Sequence, residues 1–281
     1  MLNPYRGFLL SRVRIPPSPQ PDADISGVNT AEVAWAAGFF DAEGSVVLRR
    51  QRRAWRLELE ATQGGVGPPP VLARLREACG GRGTITGPRR GYLYYWRASS
   101  RDDLAAVIDR LGVLISEPKR GAIESASRTI GRPVMLGSGP DRTPEHELAW
   151  AAGFYGGDGT TSAGLNIAGG PGYRTLKAGI PQAAFEGGVP PVLTRFHAAV
   201  GGAGAVRGPY VLKNPWSRLP QFVWSISGIR GVELILELIW PWLDEAKRDQ
   251  ARVAIRAARA CRHRRLPRNV IDRVGRNAAG E

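Results

Sequence analysis

Cysteine and histidine are scarce in this chain. Its 281 residues hold two cysteines, Cys79 and Cys261, far apart in sequence. They give no disulfide framework of the kind that staples small secreted domains. The three histidines (His146, His197, His263) have no metal-ligand spacing. The "HEL" at His146 lacks the second histidine of a zinc-protease motif. No apolar run approaches the roughly 20 residues of a membrane-spanning helix. The apolar "GFLL" near Arg6, Arg12 and Arg14 is too short for a signal-peptide core. These absences predict an intracellular, cytoplasmic protein with no membrane partner. Acid is also in deficit. There are 25 Asp and Glu against 39 Lys and Arg, a net charge of +14. Such a surplus suits a polyanion, nucleic acid first, although a generically basic protein would share it.

What is present is a duplication. "WAAGFFDAEG" (35–44) is matched by "WAAGFYGGDG" (150–159), 115 positions later. "PVLARLREACGGRGTITG" (70–87) is matched by "PVLTRFHAAVGGAGAVRG" (191–208), 121 positions later. "YYWRAS" around Trp96 matches "FVWSIS" around Trp224, and "PKRGA" around Lys119 matches "AKRDQA" around Lys247, both 128 positions apart. The offset grows between blocks, as loop insertions would make it grow. Each copy reads as a helix (about 30–43 and 145–158), an alternating strand pair around a turn, and a helix opened by proline. A second strand pair and two helices follow. The expected class is α+β, with the order αββαββαα twice over and antiparallel sheets covered by helices on one face.

The boundaries that follow are a tail at 1–27, a first half at 28–130, a Gly- and Pro-rich linker at 131–144, a second half at 145–260 and a basic tail at 261–281. The linker is expected to cross the surface in extended form. In the first tail, Val13-Arg14-Ile15-Pro16 can be encoded by the T-arm consensus of transfer RNA genes. The reading frame would then begin inside, or abut, such a gene. An ordinary disordered tail is the alternative.

The chemistry concentrates where the two repeated helices end. Ala34, Ala37, Gly38 and Asp41, like Ala149, Ala152, Gly153 and Gly156, recur at helical neighbour spacing. Such stripes of small residues let two helices approach closely. Packed in parallel, the helices bring Glu43 and Asp158 together at two negative helix poles. Gly44 and Gly159 stand where helices commonly end in a left-handed residue. Two carboxylates so placed repel, so that one takes up a proton or a cation binds between them. A hard divalent ion such as Mg²⁺ (or Mn²⁺) suits carboxylate, carbonyl and phosphate oxygens, which points to metal-assisted phosphodiester hydrolysis.

These two decapeptides resemble the motif of the LAGLIDADG homing endonucleases, in their single-chain, pseudo-dimeric form, over roughly residues 30–260. The resemblance implies saddle-shaped sheets, with the motif helices packed at a pseudo-twofold interface. It implies cleavage of both DNA strands to leave short 3′ overhangs. It assigns Glu43 and Asp158 as metal ligands, helped by the carbonyls of Ala42 and Gly157. Lys119 and Lys247 match a family lysine beneath the cleaved phosphates, where a cation stabilises developing charge or orients water. Gln63 matches a family glutamine that positions solvent. In the second copy Phe185 stands at the matching place, with Gln182 displaced, so the two half-sites are expected to be unequal. Gly156 replaces the acid at Asp41, which is expected to weaken helix packing or local hydrogen bonding.

Base reading falls to the sheets, since a two-stranded ribbon fits the major groove. In the first half the expected contacts are Arg49, Arg50, Gln51, Arg52, Arg53 and Arg56 in one hairpin and Arg89 and Arg90 in the next. In the second half they are Asn166, Arg174, Lys177, Lys213, Asn214 and Arg218. Trp55, Trp96 and Trp224 are expected to pack in the sheets. The leading expectation is a monomeric, site-specific double-strand DNA endonuclease. The alternative is a catalytically weak or inactive nucleic-acid-binding protein, either an intron maturase acting on RNA or a regulator derived from the same family.

Overall fold

In the computed structural model, the described residues are 29–261, apart from 52–53, 135, 137–141, 167–172, 185–186 and 212–218. Helix α1 (Thr30–Glu43) starts at Asn29, whose side chain accepts from the Glu32 amide, an ordinary N-cap. Ten of its residues, from Ala31 to Asp41, are buried. A helix apolar on every side must be enclosed by protein, and its counterpart α5 (Pro144–Asp158) is what encloses it. Thr143 and His146 form a capping box at the start of α5.

The two helices run parallel. His146 Nε2 lies 3.0 Å from Thr30 Oγ1 at one end. At the other end, a Cβ on Gly157 would stand 2.4 Å from the Ala42 Cβ and 2.9 Å from the Glu43 Cγ. Between them the backbones touch. A Cβ on Gly38 would sit 1.9 Å from the Trp150 carbonyl oxygen, and one on Gly153 would sit 2.0 Å from that of Trp35. Only glycine permits this approach.

Each half then builds a sheet. Strands β1 (Gly44–Gln51), β2 (Ala54–Gly64), β3 (Thr84–Arg89) and β4 (Leu93–Ala98) form an antiparallel sheet in the order β1-β2-β4-β3. Strands β5 (Thr160–Asn166), β6 (Tyr173–Ala183), β7 (Ala205–Tyr210) and β8 (Gln221–Ser227) repeat it as β5-β6-β8-β7. Helices α2 (Pro70–Ala78), α3 (Arg101–Leu111) and α4 (Glu117–Thr129) complete the first half. Helices α6 (Pro191–Ala199), α7 (Ile229–Ile239) and α8 (Glu245–Cys261) complete the second. Trp35, Phe39, Trp96, Trp150, Phe154 and Trp224 are fully buried in one continuous core.

Reciprocal clamps join the halves. Arg74 on α2 forks onto Glu32, stacks 3.8 Å over the Trp35 ring and donates to the Trp242 carbonyl. Arg195 on α6 forks onto Glu147, lies 4.0 Å over Trp150 and donates to the Leu114 carbonyl. In the expected linker, residues 131–133 and 142–144 are exposed, while Val134 and Leu136 are half-buried because their apolar side chains find partners on the core. Gly44 and Gly159 are extended, with φ −77° and −76°, not left-handed. Glycine is required for space: a Cβ would meet the Phe40 ring at 2.4 Å or the Tyr155 ring at 2.4 Å.

Candidate active site at the helix ends

Each motif helix runs directly into the first strand of its sheet, so its terminal acid sits where helix interface and sheet meet. Gln63 is held on β2 by the pairing of Gly44 with Ala61, and its side chain hydrogen-bonds to Glu43. On β6, Gln182 donates to Asp158 Oδ2. The registers make these glutamines equivalent. Ala61 faces Gly44, and Gly179 faces Thr160, so residues of β2 and β6 correspond at an offset of 119. The expectation that Phe185 occupies the matching place is therefore wrong. The offset grows from 115 to 119 within the hairpin turn, and only beyond the strand does it reach 121. Phe185 itself lies outside the described residues.

Lys119, in the first turn of α4, donates to the Gly44 carbonyl. Lys247, in the first turn of α8, donates to the Gly159 carbonyl. Each half thus holds an acid, a glutamine and a lysine around one helix–strand junction. Burial pushes the Asp158 carboxyl up to about 6, and the Glu43 carboxylate adds to the rise, against Gln182 and both lysines. Burial also raises Glu43, opposed by Gln63 and the same lysines. Burial lowers both lysines, opposed by the surrounding acids. The acids are thus electrostatically coupled across the interface and short of positive charge, which favours uptake of a proton or cation. Among the described residues no group of three or more His, Cys, Asp or Glu side chains is placed to hold a metal. The protein donors for an ion here are two carboxylates and neighbouring backbone, a set that leaves the rest of a hard cation's shell to water or to phosphate oxygens.

Asp41 does not reach this centre. It is buried, accepts from the Ser116 amide (2.8 Å) and hydroxyl (2.7 Å), and takes the Trp150 indole N–H at 2.8 Å across the helix interface. All eight small or acidic stripe residues, including Ala34, Ala37, Ala149, Ala152 and Gly156, are buried.

No family model matches the chain, and no curated protein does. Solved structures do. The LAGLIDADG meganuclease I-AabMI bound to uncleaved DNA superposes with a TM-score of 0.56 at 15% identity, over 78% of this chain and 87% of that one. The LAGLIDADG homing endonuclease I-GzeII in complex with its DNA target gives 0.52 at 15%, over 79% and 89%. I-SmaMI bound to uncleaved DNA target in the presence of calcium ions gives 0.52 at 18%, over 79% and 90%. The chain has the LAGLIDADG homing endonuclease fold.

Within that fold, cross-strand pairing sorts the sheet residues by face. Leu57, Leu59, Ala61 and Gln63 point toward the helices, whereas Arg49, Gln51 and Arg56 share the outer face with Glu58 and Glu60. Arg49 is committed there. Its guanidinium pairs with Glu58 at 2.6 Å and with Glu60, while Arg97 pairs with the same two acids at 3.2 and 2.8 Å. Arg56 lies within 3.4 Å of Gln51. By register Arg50 falls on the opposite face, across from Trp55, where the strands overhang the core. Trp55 is 52% exposed, correcting the expectation that it packs in the sheet; Trp96 and Trp224 do, each donating its indole N–H to a carbonyl (Arg82 or Ala203) at 3.0 Å.

Arg89 lies over the Tyr95 ring at 5.1 Å, and Arg90 occupies the turn with φ 51°. Lys177 is exposed on the outer face of β6. Arg52, Arg53, Lys213, Asn214 and Arg218, and the side chains of Asn166 and Arg174, lie outside the described residues. Arg97 and Arg207 join the outer faces unforeseen; for Arg97 its alternation with buried Trp96 on β4 was the available signal. Among the described residues, no helix is long and apolar enough to cross a membrane.

Proposed function

We propose that this protein is a divalent-metal-dependent, site-specific DNA endonuclease whose two outer sheet faces read a long asymmetric target. The observation that carries this is the repeated acid–glutamine–lysine set at the two helix–strand junctions: Glu43, Gln63 and Lys119, and Asp158, Gln182 and Lys247. Nothing in a purely structural interface calls for two half-buried, coupled carboxylates at two negative helix poles. Bound there, a cation of the Mg²⁺ class supplies Lewis-acid polarisation of a phosphate and a more acidic water. Glu43 and Asp158, with the backbone of Ala42 and Gly157, would hold it. Lys119 and Lys247 supply fixed positive charge toward the developing phosphorane, desolvated so that it counts for more than in water. Gln63 and Gln182 orient the acids and the solvent beside them. The surplus of +14 supplies phosphate affinity.

The reading that the second half-site is impaired loses its main support once Gln182 takes the place of the missing glutamine. The direct test is incubation of the protein with a randomised duplex library in Mg²⁺, followed by sequencing of cut ends. A single recurrent target with short staggered ends is expected. Retention of one duplex sequence without cutting would favour the DNA-binding regulator, and neither cutting nor retention would reject both DNA readings.

A further inference from the structure

The halves differ at one buried position. In the first, Asp41 of the motif helix grips Ser116, which immediately precedes α4. The Ser116 hydroxyl is turned to Asp41 and makes no cap bond to its own helix. In this way the acid fixes the start of the helix that carries Lys119. In the second half, Gly156 stands where Asp41 stands in the first, and Asp244 stands where Ser116 does.

Asp244 Oδ1 accepts from the Lys247 amide at 3.0 Å, capping α8. Its Oδ2 is buried without a hydrogen-bond partner among the described residues and faces Gly156, where a Cβ would stand 3.1 Å from it. The Trp35 indole N–H is likewise buried and unpartnered, whereas its counterpart on Trp150 is bound by Asp41. Serine and aspartate have exchanged roles: the carboxylate comes from the closing helix, and the motif helix gives it room. Burial lowers both lysines, and the acid that opposes this most is Asp41 for Lys119 and Asp244 for Lys247.

We infer that Asp244 is the positioning residue of the second half-site, supplying from the start of α8 the carboxylate that Asp41 supplies from the motif helix, and so holding Lys247 in place. The inference rests on the nuclease reading for its consequence, but its structural core can be tested without cleavage. Three variants suffice: Gly156→Asp, Asp244→Ser and the pair together.

In the parent, Gly156→Asp sets a second carboxylate against Asp244 and lowers the thermal midpoint by about 5 °C or more. On the Asp244→Ser background the same change gives the new acid a hydroxyl, an amide and the Trp35 N–H, and raises the midpoint. A sign reversal is therefore expected. On a target with each strand labelled, Asp244→Ser alone slows one strand by about tenfold and the double variant restores it. Equal effects of Gly156→Asp on both backgrounds, or equal slowing of both strands, would overturn the inference. If Gly156→Asp alone does not fold, a folded double variant supports the exchange and an unfolded one refutes it. A parent that cleaves nothing sinks the nuclease reading instead, and the sign reversal then decides this one.

Discussion

The coupled acids should make the metal-free protein unstable in a way that a single isosteric change relieves. Asp158 has an ordinary carboxyl value of 3.8 when unfolded and about 6 when folded. Across that window the folded state binds more protons than the unfolded one, so stability falls as pH rises through it. Below about 3.8 the carboxyl costs nothing; above about 6 the full cost applies. A span of about two pH units corresponds to about 3 kcal/mol. Asp158→Asn keeps the shape and an acceptor for Gln182 but has no charge to desolvate or to repel Glu43. In chelator, the variant should therefore melt above the parent at pH 7.5, by about 6 to 12 °C for a protein of this size. The gap should close by about pH 4. Adding Mg²⁺ at pH 7.5 should raise the parent toward the variant and leave the variant unmoved. Thermal unfolding of both proteins from pH 4 to 8, with and without Mg²⁺, measures all of this. A variant that melts at or below the parent across the whole range would refute the claim that two half-buried, coupled carboxylates are held at the interface.

Three further outcomes are expected. Gly38→Ala places a methyl 1.9 Å from the Trp150 carbonyl and should cost about 4 kcal/mol or more, or prevent folding, because backbone must move; a melting point within about 2 °C of the parent would contradict the packing described. Gln63→Ala and Gln182→Ala should each slow cleavage mainly on one strand, and on opposite strands; loss confined to Gln63→Ala would return the second half-site to the unequal status its sequence suggested. Affinity for the target should fall steeply between about 50 and 200 mM salt, as counterion release from several phosphate contacts demands; a flat response in a binding titration would remove the electrostatic footprint.

The duplication made the architecture legible, because matched blocks in the same order left few ways to assemble the elements. The glycines of the helix stripe also announced their role, since their periodicity is that of a contact face. The glutamine was misplaced because sequence blocks anchor offsets only at their own positions. The hairpin turn adds four residues before β6 and the following loop adds two more, so the strand lies between two anchors and belongs to neither. Strand pairing with β5 fixes what spacing could not. Arg49 was legible as basic but not as paired, since Glu58 and Glu60 reach it only across the strand pair. Asp244 carried no signal at all: its partner position, Gly156, is distant in the chain and comes beside it only through α5 and α8.

On the proposed reading, Glu43 and Asp158 form one metal-dependent cleavage centre. Its most direct measurement is cutting of a selected target in Mg²⁺ by the parent, Glu43→Gln and Asp158→Asn, with binding measured in parallel. Each substitution should abolish double-strand cleavage and change target affinity by less than about tenfold. Double-strand cleavage at the parental rate by either variant would contradict that reading.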